Sequence, residues 1–136
     1  MRIRLVHKKD LTVAQTALLE AAMRSADANE GESGPVRAWR NYQRYLYAFV
    51  DTTTGYPIAV AEASGRPTSS PGWWIAPEHR SKGYGYELVD LLAMHLKIDG
   101  VTAIGTILIQ TPCGAYDDRS RKLEARLRTH FPDEDA

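Results

Sequence analysis

Residues 73–85 read Trp-Trp-Ile-Ala-Pro-Glu-His-Arg-Ser-Lys-Gly-Tyr-Gly, the most informative stretch of this chain. A short apolar strand ends, a proline turns the chain, and a basic loop with two glycines enters an amphipathic helix. The first amides of a helix lack partners within it, and the helix dipole makes that end positive. Gly83 and Gly85 would let a phosphate approach the backbone, and Arg80 and Lys82 add charge. The segment predicts an anion site; the alternative is an ordinary glycine-rich turn with solvated arginines.

Length and composition predict one globular domain over residues 1–136. Hydrophobic residues make up 43 % of the 136 and charged residues 25 %, which is ordinary globular usage. The longest apolar runs fall far short of the ~20 residues of a membrane helix, and the first residues lack the apolar segment of a secretory signal. Cys113 is the single cysteine, which excludes internal disulfides and thiolate-rich zinc sites. We therefore expect a cytoplasmic protein without membrane contact.

The charges balance, with 17 basic and 17 acidic residues, which argues against binding nucleic acid or membranes through bulk charge. One local pattern could stack on nucleic acid, because aromatic residues alternate there with arginines. Its members are Arg37, Trp39, Arg40, Tyr42, Arg44, Tyr45 and Tyr47. A helix with an aromatic inner face and a solvated arginine face is the favoured interpretation. No spacing of His, Asp or Glu suggests a metal site.

Hydrophobic periodicity predicts the element order β-α-α-β-β-β-α-β-α. The strands are expected over 2–7, 45–51, 57–64, 73–75 and 101–109. The helices are expected over 11–28, 35–42, 83 to about 100, and 117 or 118 to about 130. Thr12 and Gln15 have the spacing of a capping box. The strand–helix–strand connection predicts that 73–75 and 101–109 run parallel, with the apolar 101–109 strand buried on both faces.

The segment Ile75-Ala76-Pro77 and the loop Arg80-Ser81-Lys82-Gly83-Tyr84-Gly85 resemble a known family. They are similar to the coenzyme A pyrophosphate loop of the GCN5-related N-acetyltransferase (GNAT) superfamily, which has Arg/Gln-x-x-Gly-x-Gly/Ala after a strand ending in Val-x-Pro. The likeness is sharp over 73–97, and the element order matches from residue 1 to about 131. The resemblance implies an α/β (α+β) fold with a mixed, largely antiparallel central sheet flanked by helices.

The resemblance also implies an end to the chain that is short for the family. Family members usually continue into one or two further strands that wall off the acceptor pocket. We therefore expect a fold truncated at the C-terminus, with either an open pocket or a second copy of the chain completing it as a homodimer.

The function implied by the resemblance is acetyl transfer from acetyl-CoA to a primary amine by direct attack. The acceptor stays open between a small metabolite, a peptide N-terminus, a lysine, an antibiotic and an aminoacyl-tRNA. The alternative is an inactive relative that still binds coenzyme A. The acetyl group would lie where the strands ending near Ile75 and Ile109 separate. The implied coenzyme-binding residues are Trp74, Ile75, Arg80, Ser81, Lys82, Gly83, Tyr84, Gly85, Tyr86 and Ser120.

Two residues are candidates for the acid–base chemistry. Glu62 lies in an apolar strand where alternation places it with Ile58 and Val60, so burial could raise its pKa and suit it as a base. A glutamate facing solvent at a sheet edge is the alternative. The family usually protonates the thiolate with a tyrosine on the last helix, but Glu124 stands at that position here. Tyr116 or a water could replace it.

The remaining polar candidates receive structural interpretations. His95 lies on the apolar stripe of its helix and is expected to be a core residue rather than a base. His79 could touch phosphate, and Cys113 is expected to be a passive small side chain rather than an acyl carrier. The acidic residues of the 27–32 region, Asp27, Glu30 and Glu32, could attract a cationic amine or simply be solvated.

Overall fold

The computed structural model describes residues 2–107 and 118–132 of the chain, and these residues contain six strands and four helices. The strands are β1 (Ile3–His7), β2 (Leu46–Asp51), β3 (Pro57–Glu62), β4 (Thr68–Ser69), β5 (Gly72–Ile75) and β6 (Ala103–Ile104). The helices are α1 (Val13–Glu30), α2 (Gly34–Asn41), α3 (Tyr84–Ile98) and α4 (Asp118–Thr129), with single 3₁₀ turns at Lys8–Asp10 and Pro77–His79.

The central sheet is antiparallel and has the strand order β1-β2-β3-β5. Leu5 pairs with Phe49 in the first ladder, and Ala61 pairs with Trp73 in the last. Between these ladders, the β2–β3 register shifts at Phe49/Val50. A short turn joins β2 and β3 as an antiparallel hairpin, whereas α1 and α2 lie between β1 and β2 in the chain. The predicted mixed fold with a largely antiparallel sheet is confirmed.

The region around β6 differs from the sequence prediction. The turn expected over 65–72 contains β4, which pairs in parallel with β6 in a separate two-stranded sheet. The predicted strand 101–109 is therefore a strand only at Ala103–Ile104 in the described residues, and it pairs with β4 instead of with 73–75. The missing side chain at Gly105 permits this close approach to the β4 segment, because a Cβ there would lie 2.5 Å from Ser70 Oγ. The apolar run packs closely against the β4 segment, and Ile109 lies outside the described residues.

Apolar clusters cover both faces of the sheet. Alternation along β5 sends Trp73 into the cluster with α3 and α4 and sends Trp74 into the cluster with α1 and α2. The α3 side is filled mainly by Tyr47, Phe49, Leu88, Leu92, Leu96 and Leu127. The α1–α2 side is filled mainly by Leu19, Met23, Trp39, Leu46, Ala48 and Val60. The loop between β5 and α3 therefore starts from a strand that is anchored on both faces.

Helix ends follow local capping chemistry. The predicted capping box is present: Gln15 N–H donates to Thr12 Oγ1 and Thr12 N–H donates to Gln15 Oε1, both at 3.0 Å. Ser33 caps α2, with a proline in the first turn. Helix α1 continues two residues past its predicted end, to Glu30. That extension carries the Glu30 carboxylate to the end of β5.

Candidate active site

The loop between the 3₁₀ turn at Pro77–His79 and α3 has the backbone of an anion site. Ser81 and Gly83 both have left-handed backbones, with φ of +64° and +83°. When neighbouring residues alternate between right-handed and left-handed backbone conformations, their N–H groups point into a shared concavity that binds anions. The first amides of α3, over 84–86, have no acceptor within the helix. Residues 81–86 thus supply backbone donors suited to a pyrophosphate, and Ser81 adopts a conformation that non-glycine residues rarely take.

The two loop glycines are required for different reasons. Gly83 needs its positive φ of +83°. Gly85 has no such conformation; a Cβ there would lie 3.0 Å from both methyl carbons of Leu123. The sequence pattern predicts phosphate approach at both glycines, whereas in the described structure Gly85 lies at a close contact between α3 and α4. Nothing in the sequence signals this contact, because Leu123 lies on a different helix.

Arg80 is held by α1 and by the edge strand. Its Nη1 and Nη2 donate to the two carboxylate oxygens of Glu30 at 2.7 and 2.6 Å, and its Nε donates to the Ile75 carbonyl at 2.8 Å. Trp74 Nε1 also donates to Glu30, at 3.3 Å. The Arg80 hydrogen bonds lower the pKa of the Glu30 carboxyl. The sequence does not mark Glu30 as the partner of Arg80. Lys82 is exposed.

Strand β5 presents backbone groups at the edge of the central sheet. Ala76 N–H donates to Ile58 O at 2.9 Å, which sets the alternation of this ladder. The N–H and C=O of Trp74 therefore face β3, while those of Trp73 and Ile75 face away from it. Of the two β5 residues that the resemblance implies in coenzyme binding, Ile75 has its backbone at this edge and Trp74 does not. Trp73 has its backbone at this edge as well, which the sequence does not indicate, because register cannot be read from a single strand.

Glu62 lies half-buried at the end of β3, opposite Gly72 of β5. Burial raises the pKa of its carboxyl. The missing side chain at Gly72 gives it room, because a Cβ there would lie 3.5 Å from Glu62 Oε1 and 3.2 Å from Pro35 Cγ. Among the described residues, no hydrogen bond or ion pair holds this carboxyl. Of its expected neighbours, Val60 packs with α1 and α2, whereas Ile58 packs with the α3 cluster.

Tyr116, the expected acid for the thiolate, lies outside the described residues, as does Cys113. Ser120 is half-buried on α4. Glu124, at the family's tyrosine position, accepts from Arg128 Nη2 at 3.0 Å. Arg128 in turn donates to the carbonyls of Ile104 and Gly105 at 3.1 and 2.8 Å. Glu124 therefore helps to hold the β6 segment against α4.

The acidic residues of the 27–32 region are all ion-paired. Arg40 binds both Asp27, at 2.6 Å, and Glu32, which also accepts from Arg37 Nε at 3.0 Å. With Glu30 bound to Arg80, each carboxylate of this region is matched by an arginine. These ion pairs partly neutralise Arg37 and Arg40, two arginines of the pattern in which aromatic residues alternate with arginines. Trp39 and Tyr47 of that pattern are buried. This arrangement agrees with a packed helix rather than a stacking surface.

The histidines take structural positions. The rings of His7, Tyr47 and His95 form a cluster with centroid distances of 4.9 to 5.2 Å. Burial lowers the pKa of His95, which favours its neutral form. His79 packs edge-on against Tyr84, with 6.2 Å between ring centroids, beside the loop. Within 2–107 and 118–132, no group of three or more metal-ligating side chains forms, and no helix is long and apolar enough to span a membrane.

Comparison with known families decides the classification. The model of the acetyltransferase (GNAT) family matches residues 16–112. This chain belongs to the GNAT family. The match confirms the resemblance first seen in the loop, and the activity that GNAT membership supports is acetyl transfer to nitrogen. A search of curated proteins found no significant match.

Solved structures share the GNAT fold with this chain. A GNAT-family protein from Xanthomonas campestris pv. campestris is 18 % identical, with a TM-score of 0.56 over 93 % of this chain and 82 % of its own. A candidate phosphinothricin N-acetyltransferase is 23 % identical, with a TM-score of 0.57 over 91 % and 79 %. Ribosomal-protein-alanine N-acetyltransferase from Brucella melitensis biovar Abortus 2308 is 16 % identical, with a TM-score of 0.53 over 93 % and 91 %. At these identities the likeness concerns the fold.

Proposed function

We propose that this GNAT chain transfers an acetyl group from acetyl-CoA to a primary amine by direct attack. The observation that carries the proposal is the 81–86 loop, whose backbone donors face an anion site at the end of an open-edged strand. A pyrophosphate fits these donors, because they need an acceptor and the helix dipole favours negative charge there. Acetyl-CoA supplies the activated acetyl group when bound.

The remaining coenzyme contacts follow from the same edge. An extended pantetheine arm would pair with the outward backbone groups of Trp73 and Ile75, in the manner of an added strand. The Ile75 carbonyl accepts from Arg80 Nε at 2.8 Å, so an N–H of the pantetheine arm would share or replace that donor. Lys82, Tyr84, Tyr86 and Ser120 complete the proposed coenzyme-binding set. Tyr84 contributes its backbone N–H, because its ring lies between Arg2 and Asp51. Trp74 is left out of this set, because its backbone faces β3 and its side chain is buried.

Glu62 is the proposed general base. Its half-buried carboxyl has no charged partner in the described residues, so its raised pKa lies nearer to that of an amine. It would take the ammonium proton, directly or through one water, and so free the nitrogen lone pair for attack. Tyr116 is the proposed acid for the departing thiolate, with a water as the alternative. Glu124 is not assigned this role, because its carboxylate is paired with Arg128.

Calorimetric titration with coenzyme A tests the binding site. Gly83→Ala should weaken binding by roughly 10-fold or more, because alanine disfavours the positive φ and the peptide groups would lose their alignment. Gly55→Ala is a matched control, since Gly55 has a similar φ of +77° but lies in a turn with open space around it. Wild-type protein that fails to bind millimolar coenzyme A would rule out the proposal.

Turnover is tested separately from binding. Thiol release should follow when acetyl-CoA is mixed with the correct amine, drawn from a panel of small amines, peptides with free N-termini and aminoglycosides. Coenzyme A binding without thiol release from any amine would instead support an inactive binding protein.

A further inference from the structure

We infer that Arg2 is a positioning residue for the phosphate loop, residues 81–86. Arg2 holds the Lys82 carbonyl on the rear of the loop, the side away from the proposed ligand, so that the Gly83 N–H faces the coenzyme pyrophosphate. The inference rests on the proposed function and adds a residue that lies more than seventy positions away from the loop motif in the sequence.

The contacts of Arg2 bracket the first turn of α3. Its Nη1 donates to the Lys82 carbonyl at 2.9 Å. Its Nε and its backbone N–H donate to the two carboxylate oxygens of Glu87, at 2.8 and 3.0 Å. Its guanidinium carbon lies 4.3 Å from the centroid of the Tyr84 ring. One side chain thus contacts the residue before the helix cap, the first helical residue and the fourth.

The peptide group between Lys82 and Gly83 transmits this contact to the ligand side. A trans peptide is planar, and its C=O and N–H point in opposite directions. The cis peptide of the described chain is Arg66–Pro67, so the Lys82–Gly83 bond is trans. A carbonyl fixed towards Arg2 therefore directs the Gly83 N–H away from Arg2. No acceptor in the described residues receives this N–H.

Arg2 also restrains a peptide that would otherwise rotate. Glycine has wide conformational freedom, and Gly83 forms one end of this peptide group. A Cβ at Gly83 would lie 3.2 Å from Arg2 Nη2, so the guanidinium packs directly on the glycine. Tyr84, under the same guanidinium, is held from its other end by Asp51, with its hydroxyl 3.3 Å from Asp51 Oδ2. The end of β2 and the start of β1 together fix the rear of the loop.

Charge gives Arg2 a second effect at this position. Glu87 is an acidic residue in the first turn of α3, where it suits the helix dipole but would repel a bound phosphate. The ion pair between Arg2 Nε and Glu87 Oε2 neutralises it, and the Glu87 side chain is only 24 % exposed. The phosphate loop therefore keeps its positive potential although an acidic side chain stands at its helix.

The test compares four proteins: wild type, Arg2→Ala, Arg2→Lys and Arg4→Ala. Arg4 is a matched control, because it is an exposed arginine two residues further along, on β1, and makes none of these contacts. Affinity for coenzyme A and for pantetheine, which lacks the pyrophosphate, is measured for each. Arg2→Ala should weaken coenzyme A binding roughly 10-fold, as expected for one charge-assisted hydrogen bond, and leave pantetheine binding unchanged. Arg2→Lys should bind coenzyme A nearly as weakly as Arg2→Ala. A single ammonium group cannot replace both Nε, which donates to Glu87, and Nη1, which donates to the Lys82 carbonyl.

A measurement without ligand separates the possible failures. The Gly83 amide signal of the free protein, followed by NMR, should shift and broaden in Arg2→Ala and stay in place in Arg4→Ala. An unchanged Gly83 signal in Arg2→Ala overturns the inference whatever coenzyme A does. Wild-type affinity for coenzyme A in Arg2→Ala, or full rescue by lysine, overturns it as well. Failure of the wild type to bind coenzyme A counts against the proposed function, while the Gly83 signal still reports on the loop.

Discussion

Among the described carboxyl groups with a shifted pKa, Glu62 moves upward, while Glu30, Glu32, Asp51 and Asp90 move downward. The difference has a simple cause: the other four accept hydrogen bonds, and Glu62 is desolvated without one. A carboxyl whose pKa is raised on folding favours the protonated native state. Its ionised form therefore lowers the stability of the protein at neutral pH.

Glu62→Gln should separate activity from stability. As the base, Glu62 must be ionised, so kcat/KM of the wild type should rise with pH through its raised pKa, above the ordinary value of 4.5. The variant should lose about 10²- to 10⁴-fold in kcat/KM and this pH limb. It should also melt at a higher temperature at pH 7, because a buried charge is gone.

The control for Glu62 is Glu78→Gln, since the side chain of Glu78 is 72 % exposed. It should change neither the pH profile nor the melting temperature. A Glu62→Gln protein with wild-type kcat/KM would remove Glu62 from the chemistry and leave the base to a water or another group.

Single residues could be predicted from the sequence where the signal is local. Glu62 stands out as a carboxylate inside an apolar strand, and the loop motif is contiguous. The pairs Arg2–Glu87 and Glu30–Arg80 could not be predicted, because 85 and 50 positions separate their members. Only the packed sheet brings them together.

Some strands and helices could likewise be predicted from local sequence, and others could not. The helices and the β2–β3 hairpin follow from periodicity, capping residues and turns, all of which are local. The β4–β6 pairing joins residues more than thirty positions apart, and β4 has two residues, too few to show a pattern. The apolar run from 101 predicts a long strand, since apolar content alone does not specify hydrogen-bond partners.

Gly85→Ala tests the packing of α3 on α4. The added methyl would press on Leu123, which costs about 1–3 kcal/mol, against a gain of up to about 1 kcal/mol from alanine's higher helix propensity. We expect a net loss of roughly 1 kcal/mol in the free energy of unfolding, measured by urea denaturation. Affinity for coenzyme A should change less than in Gly83→Ala, because Gly85 needs no positive φ.

A double-mutant comparison gives the matched control for Gly85. In a Leu123→Ala background the clash is gone, so the same glycine-to-alanine change should become neutral or stabilising. A loss of stability that is equal in both backgrounds would show that the contact with Leu123 is not the reason for the glycine.

On the scale of the whole molecule, ion pairs join helices to their neighbours on both sides of the sheet. The Glu30–Arg80 pair ties the end of α1 to the loop after β5. Asp90 on α3 binds Arg126 of α4 at 2.9 and 2.8 Å and His130, just after α4, at 2.8 Å. The arginine hydrogen bonds lower the pKa of both carboxyls. Their stabilisation is therefore complete above the unfolded-state values near 4 and is lost as pH falls through the lowered native values.

Acid should therefore weaken both sides of the sheet together. The free energy of unfolding should fall between about pH 4.5 and the lower native pKa values. Glu30→Gln and Asp90→Asn should each lower it by about 0.5–1 kcal/mol at pH 7, a modest figure because both pairs are partly solvated. The double variant should show a flatter dependence on pH, followed by thermal unfolding from pH 3 to 7.

Asp10→Asn is the control for this series, since Asp10 is exposed and makes no described side-chain contact. If the double variant keeps the wild-type slope below pH 4.5, other carboxyls govern acid unfolding, and the two ion pairs do not hold the layers together.

The position of Arg2 has a practical consequence for anyone who expresses this protein. A purification tag fused ahead of β1 would lie close to the 81–86 loop, and a histidine-rich tag would bring imidazoles next to the proposed anion site. Affinities measured with such a fusion would then include the tag's own contribution. Removing such a tag by protease before the titration would remove that contribution.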